Sequence, residues 1–294
     1  MFYRRKIILA IMQSFDGHLP KISLQKLLFL FANRQLKPDY DFVPYKYGCY
    51  SFSANADLTT MIRHGQLSEE QNSFTKIDSV DYVKMLVEND KRILIEIKNT
   101  YGKLTTNSLM KLTYLNYQYY AINSVRAKEI LTKEQYINVL NAKPIIDKTI
   151  LYTIGYEGIS LEEYLNRLIK NDIKVLVDVR NNAISMKFGF SKTQLKTFCG
   201  SLNVEYLHIP EVGIQSEQRQ ELKTQTDYDN LFAIYKKHNL KKTTSQQQQI
   251  LNLLKDKKRI ALTCFEANIC QCHRKHLAEA IINLPEWNFE LKHI

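Results

Sequence analysis

The sequence predicts two parts: a small helical or winged-helix-like domain over residues 1–143, then a mostly parallel, three-layer, Rossmann-like α/β domain over residues 150–294. Three observations carry this. Beyond residue 150, short apolar runs alternate with amphipathic segments, the pattern of a parallel sheet covered on both faces. Before residue 141 the apolar residues recur mainly at helical spacing. Between the two, from Asn141 to Thr149, Pro144 and mixed charge interrupt helical patterning, as a domain boundary does. A chain of 294 residues is long enough to bury a core in each part.

In the second part, Leu151 to Ile154 is a short apolar strand. Ser160 can cap a helix whose Leu161, Tyr164, Leu165, Leu168 and Ile169 share one face. Ile173 to Val179, apolar apart from Lys174 and Asp178, reads as a buried parallel strand. Ser191 caps a helix carrying Leu195, Phe198, Cys199 and Leu202. Val204 to Ile209 is a third strand, and Thr226 opens a helix with Leu231, Phe232 and Tyr235 inward. Gln246 to Gln249 forms an exposed helix face, with Ile250, Leu253 and Leu254 on the buried side. Arg259 to Thr263 is a fourth strand, His273 to Leu284 a helix with Leu277, Ile281 and Leu284 inward, and Trp287 to His293 a last strand.

The first part reads as helices at Arg5–Phe15, at Leu24–Asn33 capped by Ser23, and at Ser53–His64. Further helices follow near Val80–Ile97, Thr106–Leu115 and Ala127–Ile130. A polar turn, Pro38-Asp39-Tyr40-Asp41, separates two of them.

The formal charge is +11, which favours an anionic partner, most simply nucleic acid or a nucleotide; solubility alone would also account for it. No run approaches the roughly 18 apolar residues of a membrane helix. Met1 to Lys6 is charged, but Gln13, Asp16 and His18 break up any signal-peptide core. An odd count of five cysteines argues for reduced thiols, and the expected location is cytoplasmic.

Ligands of open parallel sheets bind beyond the carboxyl ends of the strands. Here those ends are polar: Gly155-Tyr156-Glu157-Gly158, Asp178-Val179-Arg180, His208 leading to Pro210-Glu211, Cys264-Phe265-Glu266, and Cys272-His273-Arg274 at a helix start. These pieces, with Gly189-Phe190-Ser191-Lys192 and Ile209-Pro210-Glu211-Val212-Gly213, resemble in order the DUF488 family across nearly the whole second half. The resemblance implies a fold and a site, the family being one of unknown function. After Arg180, relatives read like "NPISRK"; this chain has Asn182-Ala183-Ile184-Ser185-Met186-Lys187. Alanine replaces the proline, and Met186 removes a guanidinium able to clamp an oxyanion. In the first part, Tyr45-Lys46-Tyr47-Gly48-Cys49-Tyr50-Ser51 resembles the "YGPYS" region of DUF4065 (Panacea or SocA-like) proteins, with Cys49 at the proline.

Each candidate also has a structural explanation. Gly155 and Gly158 serve either a tight turn or a phosphate. Asp178 can be a core acid paired with Arg180, Ser191 a helix cap, and His208 a hydrogen-bonded core residue. Around the cysteines three chemistries compete. Val-Asp-Val-Arg and a cysteine ending a strand resemble rhodanese and cysteine-phosphatase sheets, but a phosphatase loop from Cys264 needs arginine where Cys270 stands. Zinc would find Cys264, Cys270, Cys272 and His273, yet adjacent Cys272 and His273 should diverge on an opening helix. The third chemistry is an oxyanion site built from Arg180, Lys192, His273 and Arg274, with Glu157 or Glu266 as acid or base.

The expectation is therefore a nucleic-acid-directed protein acting on a phosphate-bearing substrate by hydrolysis or base modification, without cofactor or metal. Glu157, Cys264, Glu266 and His273 are the candidate catalytic residues. Gly155, Tyr156, Asp178, Arg180, Lys192, His208, Glu211, Cys272 and Arg274 are the candidate binding residues. The alternative is a non-enzymatic nucleotide or nucleic-acid sensor, of a kind suited to phage defence or stress response.

Overall fold

The computed structural model describes residues 1–215, 218 and 222–294, which fall into two units, Met1–Lys143 and Pro144–Ile294. In the first unit the helices are α1 (Tyr3–Ser14), α2 (Lys21–Ala32), α3 (Phe52–Arg63), α4 (Glu88–Tyr101), α5 (Thr106–Asn116), α6 (Ala127–Ile130) and α7 (Lys133–Asn141). Short strands β1 (His18–Pro20), β2 (Val43–Tyr45), β3 (Gly48–Tyr50), β4 (Leu67–Glu69) and β5 (Ser73–Lys76) form two small antiparallel sheets, β1-β5-β4 and β2-β3. Every residue from Ile7 to Met12 is fully buried, so α1 is a central helix rather than a surface one.

Three expectations for this unit need correction. Ser23 does not cap α2; the helix begins at Lys21 after Pro20, and Ser23 lies inside it with Oγ 2.8 Å from Thr106 Oγ1. The helix expected from Val80 starts only at Glu88, because the Tyr82 backbone N–H donates to Gln13 Oε1 on α1 (2.8 Å) and pins the preceding segment as turns. The unit also holds five short strands at positions where the sequence reading placed none, each of three or four residues and too short for alternation to show. The Tyr45–Ser51 piece is the β2–β3 hairpin with its exit: Lys26 donates to the Cys49 carbonyl (2.9 Å), and Ser51 caps α3 by accepting from the Ala54 N–H (3.2 Å).

The second unit is α/β, with β6 (Ile150–Gly155), α8 (Leu161–Lys170), β7 (Val175–Asp178), α9 (Lys192–Ser201), β8 (Glu205–His208), α10 (Gln225–Tyr235), α11 (Thr244–Lys257), β9 (Arg259–Cys264), α12 (His273–Ile282) and β10 (Glu290–His293). The five strands form a parallel sheet in the order β10-β6-β9-β7-β8. All residues of β6, β7 and β9 are buried, as continuous apolar runs require when both sheet faces are covered. Leu176 and Ala261, the residues that would be exposed on an uncovered face, are register partners with no solvent access.

Register then fixes what stands at the carboxyl edge: Gly155 opposite Cys264, and Asp178 opposite both Thr263 and His208. Side chains alternate between faces. Thr263 accepts from Tyr164 Oη of α8 at 2.8 Å, whereas Cys264 turns to His273 of α12, so helices line both faces.

Local signals explain the helix ends. Ser160 accepts from the Glu163 N–H at 3.0 Å, and replacing it with alanine should lower stability by about 1 kcal/mol in denaturant unfolding. Ser191 stands at the start of α9 but makes no side-chain cap bond to the backbone; its hydroxyl goes to Gln194 Oε1. Helix α10 begins one residue before Thr226, behind a capping box of Thr224 and Asp227. The glutamine stretch is not wholly a solvated face, since Gln247 is buried and donates to the Leu240 carbonyl at 2.6 Å.

Candidate functional site

Arg180 leaves β7 two residues after Asp178, on the same face, and the two form a bidentate ion pair: Nε to Oδ1 at 2.8 Å and Nη2 to Oδ2 at 2.5 Å. The remaining Nη1 donates to Tyr156 Oη (2.7 Å) and to the Phe190 carbonyl (2.9 Å). Burial opposes the guanidinium charge, but the hydrogen bonds and charge of Asp178 outweigh it and raise the pKa. Asp178 also accepts from the Arg180 backbone N–H at 3.1 Å and from Tyr206, Oη to Oδ2, at 2.7 Å. With Asp178 wholly buried and Arg180 only 6% exposed, the pair's immediate effect is to fix the exit of β7.

Tyr156 stacks on Phe190 at 4.3 Å between centroids and meets Phe265 edge-on. Burial pushes its hydroxyl pKa up, against the pull of Arg180. Gly155 is demanded by sterics, because a Cβ there would stand 2.0 Å from the Glu266 carbonyl oxygen. Gly158 has φ +77° with open space around it and serves a turn. Glu157 is exposed and its carboxylate accepts from the Ala267 N–H at 2.9 Å, tying the loop after β6 to the loop after β9. The Arg274 guanidinium is buried and donates to the Glu266 and Ala267 carbonyls, holding that second loop from behind.

The reactive side chains meet at the end of β9. Cys264 Sγ lies 3.1 Å from Glu266 Oε2 and 3.6 Å from His273 Nδ1. The opposite ring nitrogen, His273 Nε2, lies 3.0 Å from the Val179 carbonyl. A carbonyl only accepts, so Nε2 carries the hydrogen, and in the neutral ring the Nδ1 lone pair faces the thiol. Cys272 completes the group: the sulfurs of Cys264 and Cys272 and a His273 nitrogen lie within 4.8 Å of one another, all on buried residues. Burial holds the Cys272 thiol well above its ordinary pKa, with Cys264 and Glu266 raising it further. The divergence expected of Cys272 and His273 is corrected here. Cys272 is extended (φ −128°, ψ 133°) and His273 is the first helical residue, so the chain turns between them and two neighbours serve one point.

A cavity of about 310 Å³ opens at this edge, lined by Tyr156, Arg180, Asn181, Asn182, Ile184, Ser185, Ile214, Cys264 and Phe265. Of the thirteen residues singled out in the sequence, Tyr156, Arg180 and Cys264 line it. Glu266 and His273 touch Cys264, and Asp178, Glu157, Gly155, Cys272 and Arg274 hold the surrounding loops or the cysteine pair. His208 lies beside the β7 exit, with Nε2 2.8 Å from the Arg180 carbonyl. Lys192 and Glu211 are exposed and do not line the cavity. Of the four arms of the expected oxyanion clamp, the guanidiniums of Arg180 and Arg274 are engaged with protein groups and Lys192 stands apart.

Residues 160–281 match the family model described as "Domain of unknown function DUF488". The match takes in strands β7, β8 and β9, the helices between them and the Cys264–Arg274 region, leaves β6 and β10 outside, and does not reach the first unit, so the DUF4065 resemblance has no support from it. No curated protein matches the chain. Within the matched region, the departures from the family loop separate in space: Ala183 is buried and its carbonyl accepts from the Lys192 N–H, while Met186 is fully exposed. The neighbouring Lys187 fills the inward role, donating to the Tyr156 carbonyl at 2.7 Å; burial lowers its pKa. Asn181, Asn182, Ser185, Ile214, Ile184 and Phe265 were missed as cavity residues. The polar loop after Arg180 was the available signal for the first three; Ile214 carried none.

Among the described residues, no helix is long and apolar enough to cross a membrane.

Proposed function

We propose that the DUF488 unit is catalytic, acting by hydrolysis or base modification on a phosphate-bearing substrate, a nucleic acid or nucleotide, with Cys264, Glu266 and His273 at the reacting centre. The observation that carries this is Cys264 on the wall of the cavity with a carboxylate 3.1 Å and an imidazole nitrogen 3.6 Å from its sulfur. A thiol, a carboxylate and an imidazole in mutual reach are the groups that general acid–base and nucleophilic chemistry use. Phe265, 43% exposed at the cavity, offers an aromatic surface on which a base can stack.

The substrate class is supported by charge. Lys236, Lys237, Lys241 and Lys242 are exposed around the end of α10, and none forms an ion pair with a described residue. Residues Lys236–Leu240 form a π-helical turn, a feature that recurs at functional sites. Such a stretch can meet a phosphate backbone while the cavity meets a base.

A second reading is favoured by one observation, the engagement of Arg180 and Arg274 inside the protein: the unit would sense a nucleotide without turnover. A panel of DNA, RNA and nucleotides separates the two. The catalytic reading expects turnover that Cys264→Ser and Glu266→Gln abolish, and binding that weakens steeply between low and moderate salt. Binding without turnover leaves the sensor reading; no binding at low salt removes nucleic acids and nucleotides from both.

A further inference from the structure

We propose that Cys264, Cys272 and His273 form a zinc site. The proposal deepens the reading of this centre as catalytic, but its evidence is the geometry alone.

Zinc with sulfur ligands at about 2.3 Å and imidazole nitrogen at about 2.0–2.1 Å, in a tetrahedral arrangement, sets a sulfur-to-nitrogen separation of about 3.6 Å and a sulfur-to-sulfur separation of about 3.8 Å. Cys264 Sγ and His273 Nδ1 stand 3.6 Å apart, and the group as a whole lies within 4.8 Å. One separation already matches, and the 4.8 Å limit on the others lies about 1 Å above the tetrahedral value, a gap that side-chain rotation can close.

The histidine is also oriented as a ligand needs. A metal-bound imidazole donates through its other nitrogen to a carbonyl or carboxylate, which fixes tautomer and ring direction. His273 Nε2 faces the Val179 carbonyl at 3.0 Å, leaving Nδ1 for the shared point. The ring is fully buried, and Tyr235 packs edge-on against it at 5.7 Å between centroids. The imidazole therefore has one fixed direction.

The chemistry of the donor set points the same way. Two buried sulfurs and a histidine nitrogen lie within 4.8 Å of one another. A divalent cation takes such a set together, both sulfurs as thiolates and the imidazole through its Nδ1 lone pair. Three protein ligands leave a fourth position, as in hydrolytic zinc sites. Only Cys264 of the three lines the cavity, so the ion's accessible side is the side of Cys264. Glu266 stands two residues beyond that ligand. With zinc held there, the ion would supply an activated water, and Glu266, its carboxylate 3.1 Å from the Cys264 sulfur, would be the group to accept a proton from it. A soft, mixed sulfur and nitrogen set selects zinc over magnesium or calcium.

The test uses the full chain purified without added metal. Elemental analysis is expected to find one zinc per chain. After zinc is removed by chelation, cobalt(II) alone is expected to bind one ion and give the near-ultraviolet band of thiolate-to-cobalt charge transfer. Cys264→Ser and Cys272→Ser should each lower that band and the retained zinc. Cys270→Ser, at an exposed cysteine, and Cys49→Ser, in the first unit, should keep both. Circular dichroism shows whether each variant is folded, and the wild-type cobalt titration stands whether or not the variants fold. A folded wild-type chain that retains no zinc and gives no thiolate band with cobalt overturns the proposal. So does a band that survives both Cys264→Ser and Cys272→Ser. The fate of the catalytic reading is separate. Turnover lost in Cys264→Ser while wild type binds no metal overturns the zinc site alone and leaves a thiol mechanism. Stoichiometric zinc without turnover supports the metal site and overturns catalysis.

Discussion

Replacing Asp178 with alanine is expected to destabilise the second unit by about 3–5 kcal/mol, the cost of stranding a buried charge. The carboxylate has no solvent access and accepts from Arg180 at two atoms, from the Arg180 backbone N–H and from Tyr206. Its removal leaves the Arg180 guanidinium, only 6% exposed, with Tyr156 and the Phe190 carbonyl as its remaining partners. Denaturant unfolding measures the loss. The size of the effect discriminates between two roles. If Arg180 instead exists to meet a substrate anion, freeing it from Asp178 should improve anion binding and cost well under 1 kcal/mol of surface-type ion pairing. A double replacement, Asp178→Ala with Arg180→Met, should recover much of the lost stability, because no lone charge is then buried.

Gly155→Ala is expected to be the most damaging small substitution at the strand ends. The added methyl would stand 2.0 Å from the Glu266 carbonyl oxygen and 2.8 Å from its carbon, and both are backbone atoms. No rotamer change relieves such a contact; β6 or the loop after β9 must move. Overpacking of this kind costs about 1–3 kcal/mol, and more where backbone must give. The same displacement carries off the carbonyl that Arg274 holds and the carboxylate beside Cys264. The expected result is a lower midpoint of thermal unfolding together with loss of whatever the cysteine group binds, read by cobalt absorption. Gly158→Ala is the control: nothing lies within 4 Å of its added carbon, and only the positive φ is penalised.

The α/β unit was legible because burial on both faces leaves a simple trace, the continuous apolar runs of Val175–Asp178 and Arg259–Cys264 separated by helical spacing. Polar residues at the ends of such runs were equally visible. What the runs do not encode is which atoms the polar residues use. Asp178 and Arg180 were readable as a pair from their i, i+2 spacing, and the same two residues were also readable as an acid and an anion clamp. Only the distances decide which groups are engaged. Cys272 and His273 were misjudged because adjacency on a helix implies divergence, whereas one of the two is extended. In the first unit, strands of three residues carry too little alternation to stand out from loops, and the β2–β3 hairpin is set by Gly48 (φ +92°) and by Lys26 on the Cys49 carbonyl rather than by apolar pattern.

The consecutive residues Thr263 and Cys264 end β9 on opposite faces, one bonded to Tyr164 of α8 and the other turned to His273 of α12. Strand geometry makes this a matter of parity. Inserting or deleting one residue within β9 would exchange the two, sending the sulfur towards the tyrosine hydroxyl and the threonine towards the imidazole. Two residues would restore the face but shift the pairing of Cys264 away from Gly155. The strand therefore tolerates changes of side chain far better than changes of length. Lineages carrying this unit should vary in the loops on either side of β9 while keeping the count of residues within it.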